Sequence, residues 1–260
     1  MEMKTLVYDV GEGGVATITI SRPESMNAIT PIMCEEFANV WAEVKRDPDV
    51  RSCVLRAAPS RAFSTGVDTK EALPWPWADM VWDRVDPFGQ IGPKQNQVWK
   101  PVVAAVHGMC SGAGWYFLNE ADVVICDDEA TFFDSHLTFG MVAAVEPAGM
   151  LATVPFREVM RMVLLSNDER VGAETALRLG IVTEVTTPEA LWGRAQELAT
   201  QIAEKNPLAV QGSVRAMWEA LDLGRRDAID RSLTYVTIGN PLSMQQVDRS
   251  KVVKRPWVLR

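Results

Sequence analysis

The sequence predicts an α/β fold built on a largely parallel sheet. Short β-branched, apolar runs alternate with helical stretches through the first half of the chain, the pattern of βαβ units. After about residue 148 the pattern becomes helical. With 260 residues, 47% hydrophobic and 23% charged, the chain has the composition of a soluble globular protein and can bury a large core.

Thr17 to Ser21 reads as the first strand. Pro31 to Lys45 reads as a helix, with Thr30 as N-cap and Pro31 at the first helical position. Cys53 to Ala57 is a short strand, followed by Pro59, Ser60 and Arg61 and a sharp turn through Ala62-Phe63-Ser64-Thr65-Gly66-Val67-Asp68. Leu73 to Trp99 carries Trp75, Trp77, Trp82 and Trp99. It reads equally as an aromatic-lined cavity and as a cluster packing a helix against the core or a neighbouring subunit. Pro101 to Gly114 reads as buried strand, turn, and first turn of a buried helix. Val123 to Cys126 is a further strand, and Glu189 to Lys205 and Pro207 to Leu223 are helices of period near 3.6.

A formal net charge of −8 argues against general nucleic-acid binding. No apolar run approaches about 18 residues, so no membrane span is expected. No charged stretch precedes an apolar one at Met1, so no secretory leader is expected and a cytosolic location follows as the default. Cys34, Cys53, Cys110 and Cys126 lack metal-binding spacing and read as reduced core residues; no metal site is expected.

The turn after Val106 suits an oxygen on which negative charge develops. The first turn of a helix carries N–H groups without intrahelical partners, at the positive end of its dipole. The small residues Ser111-Gly112-Ala113-Gly114 let a ligand approach that backbone. Several segments, taken in order, resemble the crotonase (enoyl-CoA hydratase/isomerase) superfamily. They are Ile18 to Ala28, Ala62 to Asp68, Val106 to Gly114, Glu120 to Val123, Arg170 to Thr183 and Lys254-Arg255-Pro256. The resemblance covers nearly the whole chain. It implies repeated ββα units, with a core over 1–195 and a C-terminal helical region over 196–260 serving oligomer contacts and covering the pocket. It implies assembly as a trimer or dimer of trimers, an acyl-CoA thioester substrate, and no permanently bound cofactor beyond the coenzyme A of that substrate.

The resemblance also assigns residues. The N–H groups of Val67 and Ala113 match the two donors that grip a thioester oxygen. Ser25, Met26 and Ala28 would lie along coenzyme A, and Val67, Asp68, Thr69 and Lys70 would continue that surface. Lys70 matches a lysine near the phosphate end, or is a solvated lysine; Lys254 and Arg255 could add charge there. Asp68 reads better as a turn cap. The chain departs from the hydratase pattern at both acids: Tyr116 and His136 stand where the hydratases carry glutamate. His136 titrates near neutrality and is a candidate acid/base, against a structural reading. Tyr116 either hydrogen-bonds acyl group or water, or fills the space of the missing glutamate. Glu146 is an acid on the following loop or a surface helix cap. Asp134 could orient His136, although strand alternation would point it elsewhere. His107 reads as structural. Ser111 fails the nucleophile-elbow pattern because Met109 occupies the first glycine place.

The functional expectation is an enzyme stabilising a thioester enolate, with hydratase/isomerase-type chemistry. Hydrolysis or C–C cleavage of a bulky acyl-CoA, and acyl-CoA binding without catalysis, are the alternatives.

Overall fold

The computed structural model describes residues 3–71, 86–252 and 256–259. Trp75, Trp77, Trp82, Lys254 and Arg255 therefore lie outside the described residues. Two compact units are present, Met1–Glu204 and Lys205–Arg260. The boundary expected at 195/196 falls inside a helix of the first unit, Pro188–Ala203.

In chain order the first unit carries β1 (Leu6–Val10), β2 (Val15–Ile20), α1 (Pro31–Arg46), β3 (Ser52–Ala57), β4 (Ala62–Ser64), β5 (Val102–Val106), β6 (Met109–Ser111), α2 (Trp115–Asn119), β7 (Val123–Asp127) and β8 (Thr131–Phe133). It continues with α3 (Val145–Met150), α4 (Phe156–Leu165), β9 (Val171–Gly172), α5 (Ala173–Leu179), β10 (Glu184–Thr186) and α6 (Pro188–Ala203). The second unit is a pair of helices, α7 (Pro207–Leu221) and α8 (Arg225–Gln245), followed by a short 3₁₀ turn.

One sheet has the order β1-β2-β3-β5-β7-β10, and a smaller one β4-β6-β8-β9. All pairs are parallel except β1/β2 and β8/β9. Strands buried on both faces read as continuous apolar runs. In β5, Val103 and Ala105 face one core with Leu191, Ala195, Ala199 and Ala203 of α6, while Val102, Ala104 and Val106 face the other. The alanines, spaced by one helical turn, let α6 approach closely, and the Ser52 hydroxyl donates to the Ala199 carbonyl at 2.8 Å. Helix α1 starts as expected: the Thr30 hydroxyl accepts from the Met33 N–H at 3.2 Å. It buries Met33, Phe37, Val40, Trp41 and Val44 against the larger core.

The repeated unit is two strands and a helix, as in β5-β6-α2 and β7-β8-α3. The first strand joins the large sheet and the second the small one. One sharp elbow between them is Gly108, with φ +59°, where a Cβ would stand 2.4 Å from the Arg61 carbonyl oxygen. The expected strand–turn–helix at Pro101 to Gly114 is corrected here. A second short strand, β6, intervenes, and Gly112–Gly114 forms a 3₁₀ turn before α2. Pairing of Met109, Cys110 and Ser111 with Thr131, Phe132 and Phe133 extends the segment where composition alone suggested a turn. Strands β4, β6 and β8 run side by side, so the loops leaving their C-terminal ends emerge together.

Candidate active site

The loop after β4 and the turn after β6 meet at their glycines. Gly66 has φ +85°, and a Cβ there would lie 2.9 Å from the Ala113 nitrogen and 3.1 Å from the Ser111 oxygen. No L-residue with a side chain fits that position without displacing backbone. Val67 bridges Ile29 in parallel fashion, through the Ile29 N–H to the Gly66 carbonyl (2.8 Å) and the Asp68 N–H to the Ile29 carbonyl (2.9 Å). In that geometry the Val67 N–H itself points away from Ile29. Ala113 is the middle residue of the 3₁₀ turn that leads into α2, where backbone donors lack helical partners. The structure thus brings Val67 and Ala113 together.

The polar frame behind these loops comes from residues the sequence motifs contain but whose role the motifs did not reveal. Arg22 is buried. Its guanidinium donates to the Ala28 carbonyl (2.8 Å), Asp68 (3.0 Å) and Glu71 (2.9 Å). The two Asp68 oxygens divide the work. One pairs with Arg22, and the other accepts from the Lys70 N–H at 3.0 Å, a turn cap as expected. These bonds hold the Asp68 carboxyl below its ordinary pKa although burial opposes them. Asn27 is fully buried in a left-handed conformation (φ 53°). It accepts from the Arg22 N–H and donates to the Ala62 carbonyl at 2.8 Å, fixing the Ser25–Ala28 turn to the start of β4. Ser25 and Met26 are half-buried and Ala28 is buried, while Thr69 and Lys70, which follow Asp68, are exposed.

The loop after β8 supplies the titratable groups. Ser135 sits beside the turn, its Oγ 3.7 Å from a Cβ built on Gly112. Asp134 is fully buried. Its Oδ1 accepts from the His136 backbone N–H at 2.9 Å, and its Oδ2 lies 2.8 Å from His136 Nδ1. Strand alternation does not apply to it, because β8 ends at Phe133. A carboxylate only accepts, so Nδ1 carries the proton and Nε2 faces the other way. There Glu146 Oε1 stands at 3.6 Å. The hydrogen bond to Asp134 raises the His136 pKa, against a desolvation effect, with Glu146 adding to the rise. Glu146, in the first turn of α3, is buried rather than a surface cap, and burial raises its carboxyl. The Asn119 side chain donates to the Glu146 carbonyl at 2.9 Å, tying α3 to the end of α2.

Tyr116, on α2, is buried, and its hydroxyl donates to Asp86 Oδ2. Burial, and then Asp86, push its pKa well up, so it is a neutral phenol. Asp86 was missed by sequence reasoning; the signal available was an Asp-Pro pair, a cap before a turn. Ser111 is buried, while both ring nitrogens of His136 face carboxylates, so no serine–histidine pair forms among the described residues. His107 is at the opposite end of β6. With Arg61, Asp127, Arg170 and Trp192 it lines a cavity of about 950 Å³ that none of the groups around His136 and Tyr116 lines. Among the described residues no helix is long and apolar enough to cross a membrane.

Residues 11–239 match the family model described as enoyl-CoA hydratase/isomerase. The chain is 32% identical over 222 residues to (E)-benzylidenesuccinyl-CoA hydratase of Thauera aromatica, covering 85% of this chain and 84% of that one. It is 31% identical over 231 residues to carnitinyl-CoA dehydratase of Escherichia coli O157:H7, covering 87% and 84%. Among solved structures, an enoyl-CoA hydratase/isomerase from Mycobacterium paratuberculosis superposes with a TM-score of 0.81 at 32% identity, covering 91% of this chain and 90% of the other.

Proposed function

Because this chain belongs to the enoyl-CoA hydratase/isomerase family, we propose that it binds an α,β-unsaturated or 3-hydroxy acyl-CoA thioester and adds or removes water, with His136 as the acid/base. The observation that carries this reading is the cluster Asp134–His136–Glu146 set beside the joined Gly66–Val67 and Gly112–Ala113 loops. The Val67 and Ala113 N–H groups hold the thioester oxygen and stabilise the enolate as charge builds on it, each donor worth about 3–4 kcal/mol of barrier. Coenzyme A lies along Ser25, Met26 and Ala28 and along Asp68 to Lys70, with Lys70 toward the phosphates. Removal of water requires a proton for the departing hydroxyl, and His136, held by Asp134 with its pKa raised, carries one. In the addition direction its neutral Nε2 takes the proton from water.

The relatives' names support both directions, since one is a hydratase and another a dehydratase. The (E)-benzylidenesuccinyl-CoA hydratase also supports a bulky, aryl-bearing acyl group, in keeping with the tryptophan-rich stretch before Trp99.

The test is to incubate the purified protein with crotonyl-CoA and cinnamoyl-CoA and follow both the enoyl absorbance and free thiol. Loss of the enoyl chromophore without thiol release is expected, and H136A should slow it by about 10²–10⁴-fold. Release of free coenzyme A, a shortened acyl chain, or tight binding without turnover would refute hydration. An H136A variant as fast as wild type would remove His136 from the chemistry.

A further inference from the structure

The resemblance implies that Tyr116 and His136 stand at the places of the two hydratase glutamates, and two carboxyl groups reach these side chains from elsewhere. Glu146 comes from α3 and faces His136. Asp86 comes from the start of the 3₁₀ turn Pro87–Ile91 and faces Tyr116. Its carboxylate is held at both ends. Oδ1 accepts from the Phe88 N–H at 3.0 Å, and Oδ2 accepts from the Tyr116 hydroxyl. Phe88 is itself buried, with its ring 6.0 Å from that of Tyr116, so backbone and packing fix the pair. Asp86 stands close enough to both Tyr116 and Glu146 for its charge to add to the rise in their pKa values.

We propose that Asp86 and Tyr116 form one proton relay serving the α-carbon of the acyl group, while the His136 cluster serves the β-hydroxyl. The proposal rests on the acyl-CoA reading above. In the elimination direction the Cα–H proton passes to the Tyr116 oxygen as the tyrosine's own proton passes to Asp86 Oδ2. The Cα–H electrons form the enolate, whose oxygen is held by Val67 and Ala113. The enolate then closes the Cα=Cβ bond and the Cβ–O bond breaks, the oxygen leaving as water with the proton from His136. Addition runs the same steps backwards, with protonated Asp86 recharging Tyr116 as it delivers a proton to Cα. Tyr116 remains a phenol on both sides of the step and Asp86 stores the proton. A tyrosine in the glutamate position thus keeps carboxylate chemistry one side chain further back.

The relay acts on Cα–H alone, so it can be measured without the elimination step. Butyryl-CoA, which has no β-hydroxyl, is incubated with the protein in D₂O and α-deuteration is followed by NMR. Wild type is expected to exchange, with Y116F and D86N each slowing exchange by about 100-fold or more at little change in KM. The double variant should be no slower than either single one. Because Asp86 also caps a turn, D86S keeps an acceptor for the Phe88 N–H without the carboxylate; it should be as slow as D86N, while D86E should recover part of the rate. Exchange in D86S within threefold of wild type, or no recovery in D86E over D86S, overturns the relay. If wild type binds butyryl-CoA and hydrates crotonyl-CoA but exchanges nothing, the relay is wrong and the hydration reading stands. If it neither binds nor turns over any acyl-CoA, both fall.

Discussion

At the residue scale, Asp134 decides what His136 can do. Its two bonds fix the ring and place the proton on Nδ1, leaving Nε2 for chemistry. Asp134→Asn preserves shape and the bond from the backbone N–H, but turns a donor toward Nδ1 and so favours the wrong tautomer. The His136 pKa is raised chiefly by Asp134 while desolvation lowers it, so removing the carboxylate drops it. We expect kcat to fall by about 10²–10⁴-fold. The pH at which water elimination is lost on the alkaline side should move to lower pH in the profile of the residual activity. The same linkage reaches stability. A raised folded-state pKa contributes stability that is present below the unfolded value of about 6.5 and is lost as pH rises through the folded value. The Tm deficit of D134N should therefore shrink above that pH. A profile shifted to higher pH would contradict the role given to Asp134.

At the element scale, the site depends on two strand ends converging, and Gly66 is the position that allows it. A methyl group there meets the Ala113 nitrogen at 2.9 Å, and φ +85° adds a backbone strain of about 1–2 kcal/mol. Gly66→Ala should separate the two donors and lower kcat/KM by about 10²–10³-fold in the enoyl-CoA assay. Gly193→Ala in α6 is the control. Nothing lies within 4 Å of its added Cβ, so activity should be unchanged and Tm equal or higher. Equal losses in both variants would remove the special role of Gly66. This convergence also marks where the sequence stopped being legible. Helix α1 carries its own cap and stripe, and β5 its own apolar run, so both could be read locally. The second sheet could not, because β4, β6 and β8 are three-residue strands specified by pairing with one another rather than by period. Asp86 belongs to the same class: it is 30 residues from Tyr116 in the chain, and the Phe88 N–H bond and the packing of Phe88 bring it there. Arg22 and Asn27 were visible as parts of a motif, while their bonds to Asp68 and Ala62 required the fold.

At the scale of the molecule, the second unit is held together from within and leaves apolar surface outside. Glu219 on α7 binds Arg215 at 2.7 Å, and Arg231 and Tyr235 of α8 at 2.7 and 2.5 Å. Against the burial that would raise it, these bonds hold its carboxyl at about 2, so the carboxylate stays ionised and the hairpin tied at all but strongly acidic pH. On α8, Ile229, Leu233 and Val236 recur at one-turn spacing and are each at least half exposed. An apolar stripe of that kind on a tied hairpin fits a contact between subunits better than solvent. A trimer, the assembly that the resemblance implies, would give it a partner. Leu233→Glu places a charge where the side chain is already 63% exposed, so it should not disturb the fold of a single chain. In an assembly it buries an unpaired carboxylate, at a cost of several kcal/mol per contact. Light scattering on the eluting protein should show a trimer or its multiple for wild type and a monomer for L233E, with unchanged helical circular dichroism. A monomeric wild type, or an L233E assembly of wild-type mass, would show that α8 is not the contact.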